Sequence, residues 1–500
     1  MINEQKKLNG WQAKPFIKQL VKRFPKAEIF LVGGAVRDIL LNRETNDFDF
    51  VIRGVGKAEL EKFLARQGKV NLVGKKFGVF KFKPKPANGN RKTQTAEEID
   101  IALPRTEHSL HLSGAYRDFK INSSPKIKIE DDLSRRDFTI NAMAWDVKNS
   151  RLLDPFAGQA DLKKKIIRCV GEPKKRFAED YSRMLRAIRF SCQLDFSLDA
   201  KTWREIKKSI KNLTKKNQAE QIVPYEVMAK ELVKMVRPNP KKALTLLDQS
   251  GALKILMPEL LPTKTCPQPK KWHTEGDVWT HTLLALEKLE SKEFKKEFSL
   301  VPLTDEVIWG LIFHDSGKPE TLVKADRLRF NGHDIASAKL FKKVAERLRL
   351  ASTGLDIEVI EKIIAKHMLP THERANMMKE TTIERYFFND NFPGRELMML
   401  IFADIAATIP PSGKPDFGSY KNLQTRINKL KGKSKNKKIL PQPILDGHDL
   451  IKAFKLKSSP LIGRLLSILR EAQLTDKIKT KPQGLNLVKK ILKKTNSGDN

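Results

Sequence analysis

The sequence predicts an α+β N-terminal domain, a small mixed sheet with helices on it, followed by a predominantly α-helical remainder. Three observations predict it. Short apolar runs suited to strands alternate with helical patterns over residues 1–150. From Asp161 onward glycine becomes sparse, and the apolar spacing then stays helical almost to the C-terminus. Proline-rich breaks at Arg237–Pro240, Pro258–Pro269 and Pro410–Lys414 interrupt the helical part, and the chain divides into segments 1–150, 151–265, 266–410 and 411–500.

Ile29–Val32 is an apolar run that reads as a strand, and Gly33-Gly34 lets the backbone turn and approach a ligand with no Cβ in the way. A helix then starts near Ala35, its free amides favouring an anion such as phosphate, with Arg37 as a charged second donor. After the polar turn Asn42–Asn46, the run Asp47–Ile52 alternates as a strand that puts Asp47 and Asp49 on one face. Two such carboxylates repel unless a cation sits between them, as Mg²⁺ held with substrate phosphates does. Two ions about 3.5–4 Å apart can clamp an in-line phosphoryl displacement.

Lys83–Glu98, rich in Pro, Gly and Asn, reads as a mobile loop or hairpin tip before the strand Ile99–Leu103. Asp100 on that strand supplies a third carboxylate if the two strands are neighbours, with Arg105 close behind it. In DLSRRDFTINAMA, Asp132–Ala144, the residues Arg135, Arg136, Asp137 and Asn141 offer two cationic forks, an acceptor and an amide. A helix through this segment puts Asp137 and Asn141 on one face, within reach of a ribose or phosphate. In EDYSRMLRAIRF, Glu179–Phe190, helical spacing places Asp180 and Arg183 on one face, with Met184, Leu185, Ile188 and Phe190 as apolar contacts. One acceptor beside one fork of donors suits the Watson–Crick edge of cytosine or adenine. By geometry alone such a pair is more often a surface salt bridge.

Residues 273–410 hold a separate pattern: His281, His314-Asp315, His333-Asp334, His367 and Asp404, with His273 as a further candidate. His and Asp drawn from several helices suit a transition metal or Mg²⁺, and an open coordination position activates water for phosphoester hydrolysis. The adjacent His314 and Asp315 inside an apolar helix are hard to explain otherwise, because a buried carboxylate needs a partner.

A formal charge of +37 and a pI near 9.9 point to a polyanionic partner, nucleic acid first. No apolar span reaches about 18 residues and the MINEQKKLNG start lacks a signal-peptide core, so the expected setting is the cytoplasm, away from any membrane. The cysteines Cys169, Cys192 and Cys266 make neither a disulfide framework nor a zinc cluster.

The run GGAVRDILL followed by DFDF, with RRDFTINA and EDYSR, resembles the nucleotidyltransferase superfamily of bacterial-type (class II) tRNA CCA-adding enzymes and poly(A) polymerases. The order H…HD…H…H…D is similar to HD-type metal phosphohydrolases, and ILDGHDLIKAF with PLIGRLLSILREAQL looks like the tail of HD-bearing CCA-adding enzymes. The resemblance covers roughly residues 25–480. It implies a nucleotidyltransferase head, a nucleotide-selecting and RNA-binding neck and body, an HD domain and a basic RNA-binding tail, in the order of the four segments. It implies addition of CCA to tRNA 3′ ends from CTP and ATP, with Mg²⁺ at Asp47 and Asp49 and Asp100 as the third catalytic carboxylate. Gly33, Gly34, Arg37, Arg136, Asp137 and Asn141 are then nucleotide-binding, Asp180 and Arg183 select the base, and Arg186 or Arg189 lies near phosphate or RNA.

At the HD centre it implies a divalent ion, a transition metal among the candidates, on His281, His314, Asp315 and Asp404. His333 and His367 then serve a second metal or a phosphate, for phosphatase or 2′,3′-cyclic phosphodiesterase chemistry on RNA ends. Lys429–Lys438 and Arg464 would track the phosphates of the tRNA acceptor and TΨC arms. Alternatives are a poly(A) polymerase, a CC-only or A-only enzyme, a nucleotide-responsive HD phosphohydrolase and a nonenzymatic RNA-binding protein. The long 83–98 insertion and the ALPRTEHSLHLSG segment depart from the family pattern and bear on the switch from C to A addition.

Overall fold

The computed structural model describes residues 14–73, 79–85, 98–109, 119–217, 220–370, 378–433 and 440–496, together with residues 8, 10 and 114. The chain folds as two compact units, Met1–Leu256 and Met257–Asn500.

In the first unit, α1 (Pro15–Arg23) leads to β1 (Glu28–Val32), α2 (Gly34–Leu40), β2 (Phe48–Arg53), α3 (Lys57–Gln67), β3 (Gly68–Val73), β4 (Val79–Pro84) and β5 (Ile99–Ala102). Next come β6 (Arg105–Ser109), β7 (Phe119–Ser123), α4 (Ile129–Ser134), β8 (Ala144–Asp146) and β9 (Arg151–Leu153). Seven of these strands form one sheet in the order β3-β4-β5-β2-β1-β8-β9. Only the β2·β5 pair runs parallel; the other neighbours are antiparallel, which makes the sheet mixed. Alternation on β2 turns Phe48, Phe50 and Ile52 toward the packed side. There Phe16 of α1 meets Phe50 edge-on at 6.2 Å and Phe82 at 5.6 Å. Asp49 is thereby left on the opposite face.

Helices α5 (Gly158–Lys164), α6 (Pro173–Glu179), α7 (Ser182–Leu194), α8 (Ala200–Ser209), α9 (Tyr225–Val236) and α10 (Pro240–Ser250) complete this unit's main elements. The Arg237–Pro240 break starts a helix, because Asn239 accepts from the Lys242 amide and Pro240 occupies a first-turn position whose N–H has no helical partner. The main helices of the second unit are α11 (Val278–Lys288), α12 (Asp305–Phe313), α13 (His333–Arg347), α14 (Ile357–Ile364), α15 (Glu380–Phe387), α16 (Gly394–Ala407), α17 (Gly418–Lys433), α18 (Gly447–Phe454), α19 (Pro460–Leu474) and α20 (Lys481–Asn496). α12 is apolar on all sides and lies at the centre, packed against α11, α14 and α16. Trp309 and Phe313 are its buried anchors, with Phe341 of α13 at 5.4 Å from Phe313. The last three helices close a small core of their own around Leu450, Leu465, Leu469 and Val488.

The expectation of helix almost to the end needs correction at three places. Ile166–Ile167 pairs with Ser197–Leu198, Lys216–Asn217 with Glu220–Gln221, and Val323–Lys324 with Leu328–Arg329. Two-residue pairings are too short to leave an alternating signal. Most of the expected loop at 83–98, part of ALPRTEHSLHLSG and part of the Lys429–Lys438 run lie outside the described residues. Among the described residues no helix is long and apolar enough to cross a membrane.

Candidate active site and metal centre

The apolar strand β1 carries the chain to Gly33, which sits at φ +72°. A Cβ there would lie 2.7 Å from Arg136 Nη1 and 3.6 Å from Asp49 Oδ2, so glycine is what allows the Arg136 fork to reach over the turn. Asp49 stands in register with Val32 on one side and with Asp100 on the other. The strands that had to be neighbours for a third carboxylate are neighbours. Asp47 immediately precedes β2 and is exposed. Burial, the Asp47 charge and Asp100 together push the Asp49 carboxyl up to about 6, against the pull of Arg136. Asp100 is also raised, by burial first and then by Asp47, while Lys81 opposes the shift. Lys81 faces Asp100 across the β4·β5 ladder, its Nζ 3.6 Å from Asp100 Oδ1. A lysine alternating on a strand gave no sequence signal of this role.

Arg136 leads into a network behind the carboxylates. Arg37 donates to Asn141 Oδ1 at 2.7 Å, and Asn141 Nδ2 donates to Asp137 Oδ1 at 3.2 Å. Asp137 Oδ2 accepts from Arg186 Nη2 at 2.6 Å and Nε at 3.0 Å. Arg189 Nε donates to Glu231 Oε2 at 2.6 Å, with its guanidinium 4.1 Å from the Phe190 ring. Burial alone would raise the Asp137 carboxyl, yet the Arg186 fork and the Asn141 amide hold it well below the usual carboxylate range. Asp137 and Asn141 do not share a helix face, which corrects the helical reading: α4 ends at Ser134, and a single 3-10 turn, Thr139–Asn141, follows. The amide still reaches the carboxylate because that turn closes over it.

The Asp180/Arg183 pair is corrected in the same way. Asp180 lies outside any helix, in extended backbone between α6 and α7, and its Oδ1 accepts from the Ser182 amide at 2.8 Å and hydroxyl at 2.6 Å. A short acidic side chain beside a helix start captures the free amides there. Arg183 Nη1 instead donates to Glu179 Oε2 at 2.7 Å and to the Arg176 carbonyl at 3.2 Å. The two residues nonetheless line the same cavity. Its volume is about 770 Å³, and its wall includes every transferase-site residue named from the sequence, from Gly33 to Arg189. Glu231 and Lys234 of α9 also line it. Sequence reasoning missed them because α9 reads as an ordinary amphipathic helix. Seven arginines and Lys234 at this wall suit a polyphosphate, and the Asp47, Asp49 and Asp100 group suits the cation that accompanies it.

In the second unit His281 lies on α11, His333 opens α13, His367 follows α14 in a turn, and Asp404 lies in the last turn of α16. His314 and Asp315 are not inside a helix, as expected, but at the C-terminal end of α12, where the chain turns to admit other ligands. The Nδ1 atoms of His314, His333 and His367 each face a main-chain carbonyl, of Leu311, Phe330 and Ile364, at 2.7–2.8 Å. His281 Nδ1 faces Glu275 Oε1 at 2.9 Å. A carbonyl can only accept, so these nitrogens carry the protons and the Nε2 atoms are left to face inward. There His281 Nε2 lies 2.9 Å from Asp404 Oδ1, His314 Nε2 3.4 Å from Asp315 Oδ2, and His333 Nε2 3.3 Å from Asp315 Oδ1. His333 and His367 approach each other Nε2 to Nε2 at 3.2 Å. Two acceptor nitrogens at that distance, beside a carboxylate, fit a bound cation. Ligand atoms of His281, His314 and Asp315, and of Asp315, His333 and His367, gather closely enough to hold one, as do those of His273, Glu275 and His281. Burial would lower the His314 pKa, but Asp315 and Asp404 raise it to about 10.

Glu275 and Lys318 escaped the sequence reading. Glu275 Oε1 meets both His273 Nδ1 at 2.7 Å and His281 Nδ1, while its Oε2 accepts from the Ile409 amide. Lys318 is buried, with Nζ 2.6 Å from Asp315 Oδ2.

Residues 29–168 match the family model described as the poly A polymerase head domain. Over 361 residues the chain is 32% identical to the multifunctional CCA protein of Halorhodospira halophila, covering 72% of this chain and 78% of that one. Identity to the multifunctional CCA protein of Legionella pneumophila is 31% over 387 residues, 77% and 85% of the two chains. Among solved structures, the Thermotoga maritima CCA-adding enzyme complexed with tRNA superposes with a TM-score of 0.60 at 21% identity, covering 97% of this chain and 98% of that one. The Bacillus stearothermophilus CCA-adding enzyme in complex with CTP gives 0.57 at 21% identity, covering 96% and 100%. These two likenesses are of fold.

Proposed function

The chain belongs to the CCA-adding (class II) nucleotidyltransferase family, and on that premise we propose that it adds C, C and A to the 3′ ends of tRNA in the cytoplasm, using CTP and ATP. The observation that carries the reading is the register of Asp49 with Asp100, two positions from Asp47, on the wall of the arginine-lined cavity. The raised Asp49 carboxyl supports a cation there, because repulsion among three close carboxylates is what a divalent ion relieves. Asp47, Asp49 and Asp100 would hold it, and Mg²⁺ is the ion we assign. When bound, Mg²⁺ neutralises triphosphate charge and makes the RNA 3′ hydroxyl a better nucleophile.

The remaining work falls to side chains of this chain. Arg136 at the Gly33 turn meets phosphate oxygens, and Gly33-Gly34 lets the backbone come close. The Arg37–Asn141–Asp137–Arg186 network holds its members rigid beside the sugar. Asp180 and Arg183 read the base edge, the former as acceptor and the latter as donor, with Arg189 near phosphate or RNA. The 3′ oxygen attacks the α-phosphorus, a P–O bond to it forms, and the bond to pyrophosphate breaks; the hydroxyl proton leaves to solvent. Residues 1–150 form the catalytic head in this reading, 151–265 the base-selecting neck and body, 266–410 an HD phosphohydrolase domain and 411–500 a basic RNA-binding tail with Arg464 on α19.

The inward-facing Nε2 atoms support the second activity, metal-dependent phosphatase or 2′,3′-cyclic phosphodiesterase action on RNA ends. The test of the main reading uses purified protein, Mg²⁺ and tRNA transcripts ending before CCA, after C and after CC. Each nucleotide is supplied alone and CTP with ATP, and the 3′ ends are sequenced. Extension that stops at CCA is expected. Long A tails, CC alone, A alone or no extension would overturn it in favour of the corresponding alternative.

A further inference from the structure

The metal centre of the second unit opens into a cavity of about 470 Å³ lined by Asp315, His333, His367 and Asp404, a volume suited to a small organic ligand. Part of its wall is aromatic. Trp272 lines it while remaining 42% exposed, one of few large apolar side chains so displayed. Its main chain is held, since the Trp272 and His273 amides both donate to the Pro269 carbonyl, at 2.9 and 3.0 Å, and Lys271 Nζ lies 5.1 Å from the indole ring. His273 in turn meets Glu275, which faces His281. Phe330 lines the same cavity, half-buried. Its carbonyl faces His333 Nδ1 at 2.7 Å, and Lys318 Nζ lies 5.7 Å from its ring while pairing with Asp315.

Phe330 is therefore linked directly to His333 and Lys318, and Trp272 joins the metal centre through its chain neighbour His273. Phosphate chemistry alone gives no reason for aromatic rings there. An exposed indole beside a phosphoester site does suit a flat heterocycle, because every nucleobase has a π-face and an indole offers a rigid apolar one. We propose that Trp272, with Phe330 on the same wall, is a stacking platform for the base of a nucleoside whose 2′- or 3′-phosphoester lies at the Asp315 cluster. The site then takes nucleoside-linked phosphoesters in preference to small esters without a base. In the hydrolysis, water adds to phosphorus, one P–O ester bond breaks, and the proton goes to the departing ribose oxygen. This inference rests on the phosphohydrolase reading of the centre.

The test compares adenosine 2′-monophosphate with glycerol 2-phosphate as substrates of the full chain, supplied in turn with Mg²⁺, Mn²⁺, Co²⁺ and Ni²⁺. Trp272→Ala should raise KM for the nucleotide about 5- to 100-fold. It should leave kcat and all glycerol 2-phosphate kinetics unchanged, and Trp272→Phe should restore most of the loss. CCA addition should not change. Equal effects on both substrates, or no effect on either, would overturn the platform. Absence of turnover by the wild type with every metal would sink the phosphohydrolase reading instead. Equilibrium dialysis of adenosine 2′-monophosphate with no other nucleotide present then decides the platform separately: weaker retention by Trp272→Ala than by wild type upholds it, and equal retention overturns it.

Discussion

Asp49 and Asp100 stand opposite each other across the parallel strands β2 and β5, the only parallel pairing in the head sheet. Burial and the neighbouring Asp47 push Asp49 from 3.8 up to about 6 in the metal-free protein. A carboxyl raised by folding binds its proton more tightly when folded, so the Asp49 contribution to stability is fullest at low pH and is lost as pH rises through about 6. Asp49→Asn should therefore raise the metal-free Tm at pH 7, by roughly 2–4 °C for each kcal/mol of repulsion relieved. The same variant should lose nucleotide transfer. Calorimetry with and without Mg²⁺ checks this: the ion should stabilise wild type more than the variant.

Arg186 neutralises a carboxylate it helps to bury. Arg186→Met should destabilise the protein by about 3 kcal/mol, the low end for breaking a buried pair, because 36% of the Arg186 side chain is exposed. The Asp137 carboxyl is held low in the folded state, so its contribution is present above the ordinary carboxylate range and is lost as pH falls through the folded value. The gap between wild type and variant in urea denaturation should thus narrow on acidification. A gap that widens would contradict the pairing.

In the proposed reading base selection turns on Arg183, whose guanidinium Glu179 already orients at 2.7 Å. Arg183→Ala should cut the preference for CTP and ATP over UTP and GTP by about 5- to 100-fold, while Mg²⁺ binding survives. Single-nucleotide incorporation kinetics measure the ratio; an unchanged ratio would put the pairing face elsewhere.

At the second centre, Glu275 fixes the tautomer of His281 without facing the metal-side nitrogen. Glu275→Gln should weaken divalent-metal affinity by about 10- to 100-fold, measured by competition with a chelating dye. His314→Ala with Asp315→Ala should abolish both metal uptake and phosphodiesterase turnover and leave CCA addition in place.

What could be read in the sequence was what short-range pattern encodes. The strand, glycine turn, helix and second strand from Ile29 to Ile52 each carry their own period, and β1, α2 and β2 occupy that stretch. Histidines stand out by type alone, and His281, His314, His333 and His367 do converge. The helical placement of Asp137 with Asn141 failed because a single 3-10 turn has no repeating period to detect. Asp180 failed because a side chain just ahead of a helix start is spaced like one inside the helix. Lys81, Glu231, Glu275 and Lys318 were illegible for another reason. Each is a lone charge on an unremarkable element; Lys81 and Glu231 gain their meaning from partners distant in sequence, and Glu275 and Lys318 from a local pairing that has no repeating period.

The parallel join of β2 and β5 also sets an order of events during synthesis. An antiparallel hairpin can close as soon as its second strand is made, but β5 must wait for α3, β3, β4 and the connection after them to leave the ribosome. Until Asp100 emerges, the nascent head holds Asp47 and Asp49 without their third partner. The growing chain therefore carries two of the three carboxylates through a stretch of translation, and the rest of the cavity wall, from Arg136 to Lys234, follows only after Asp100.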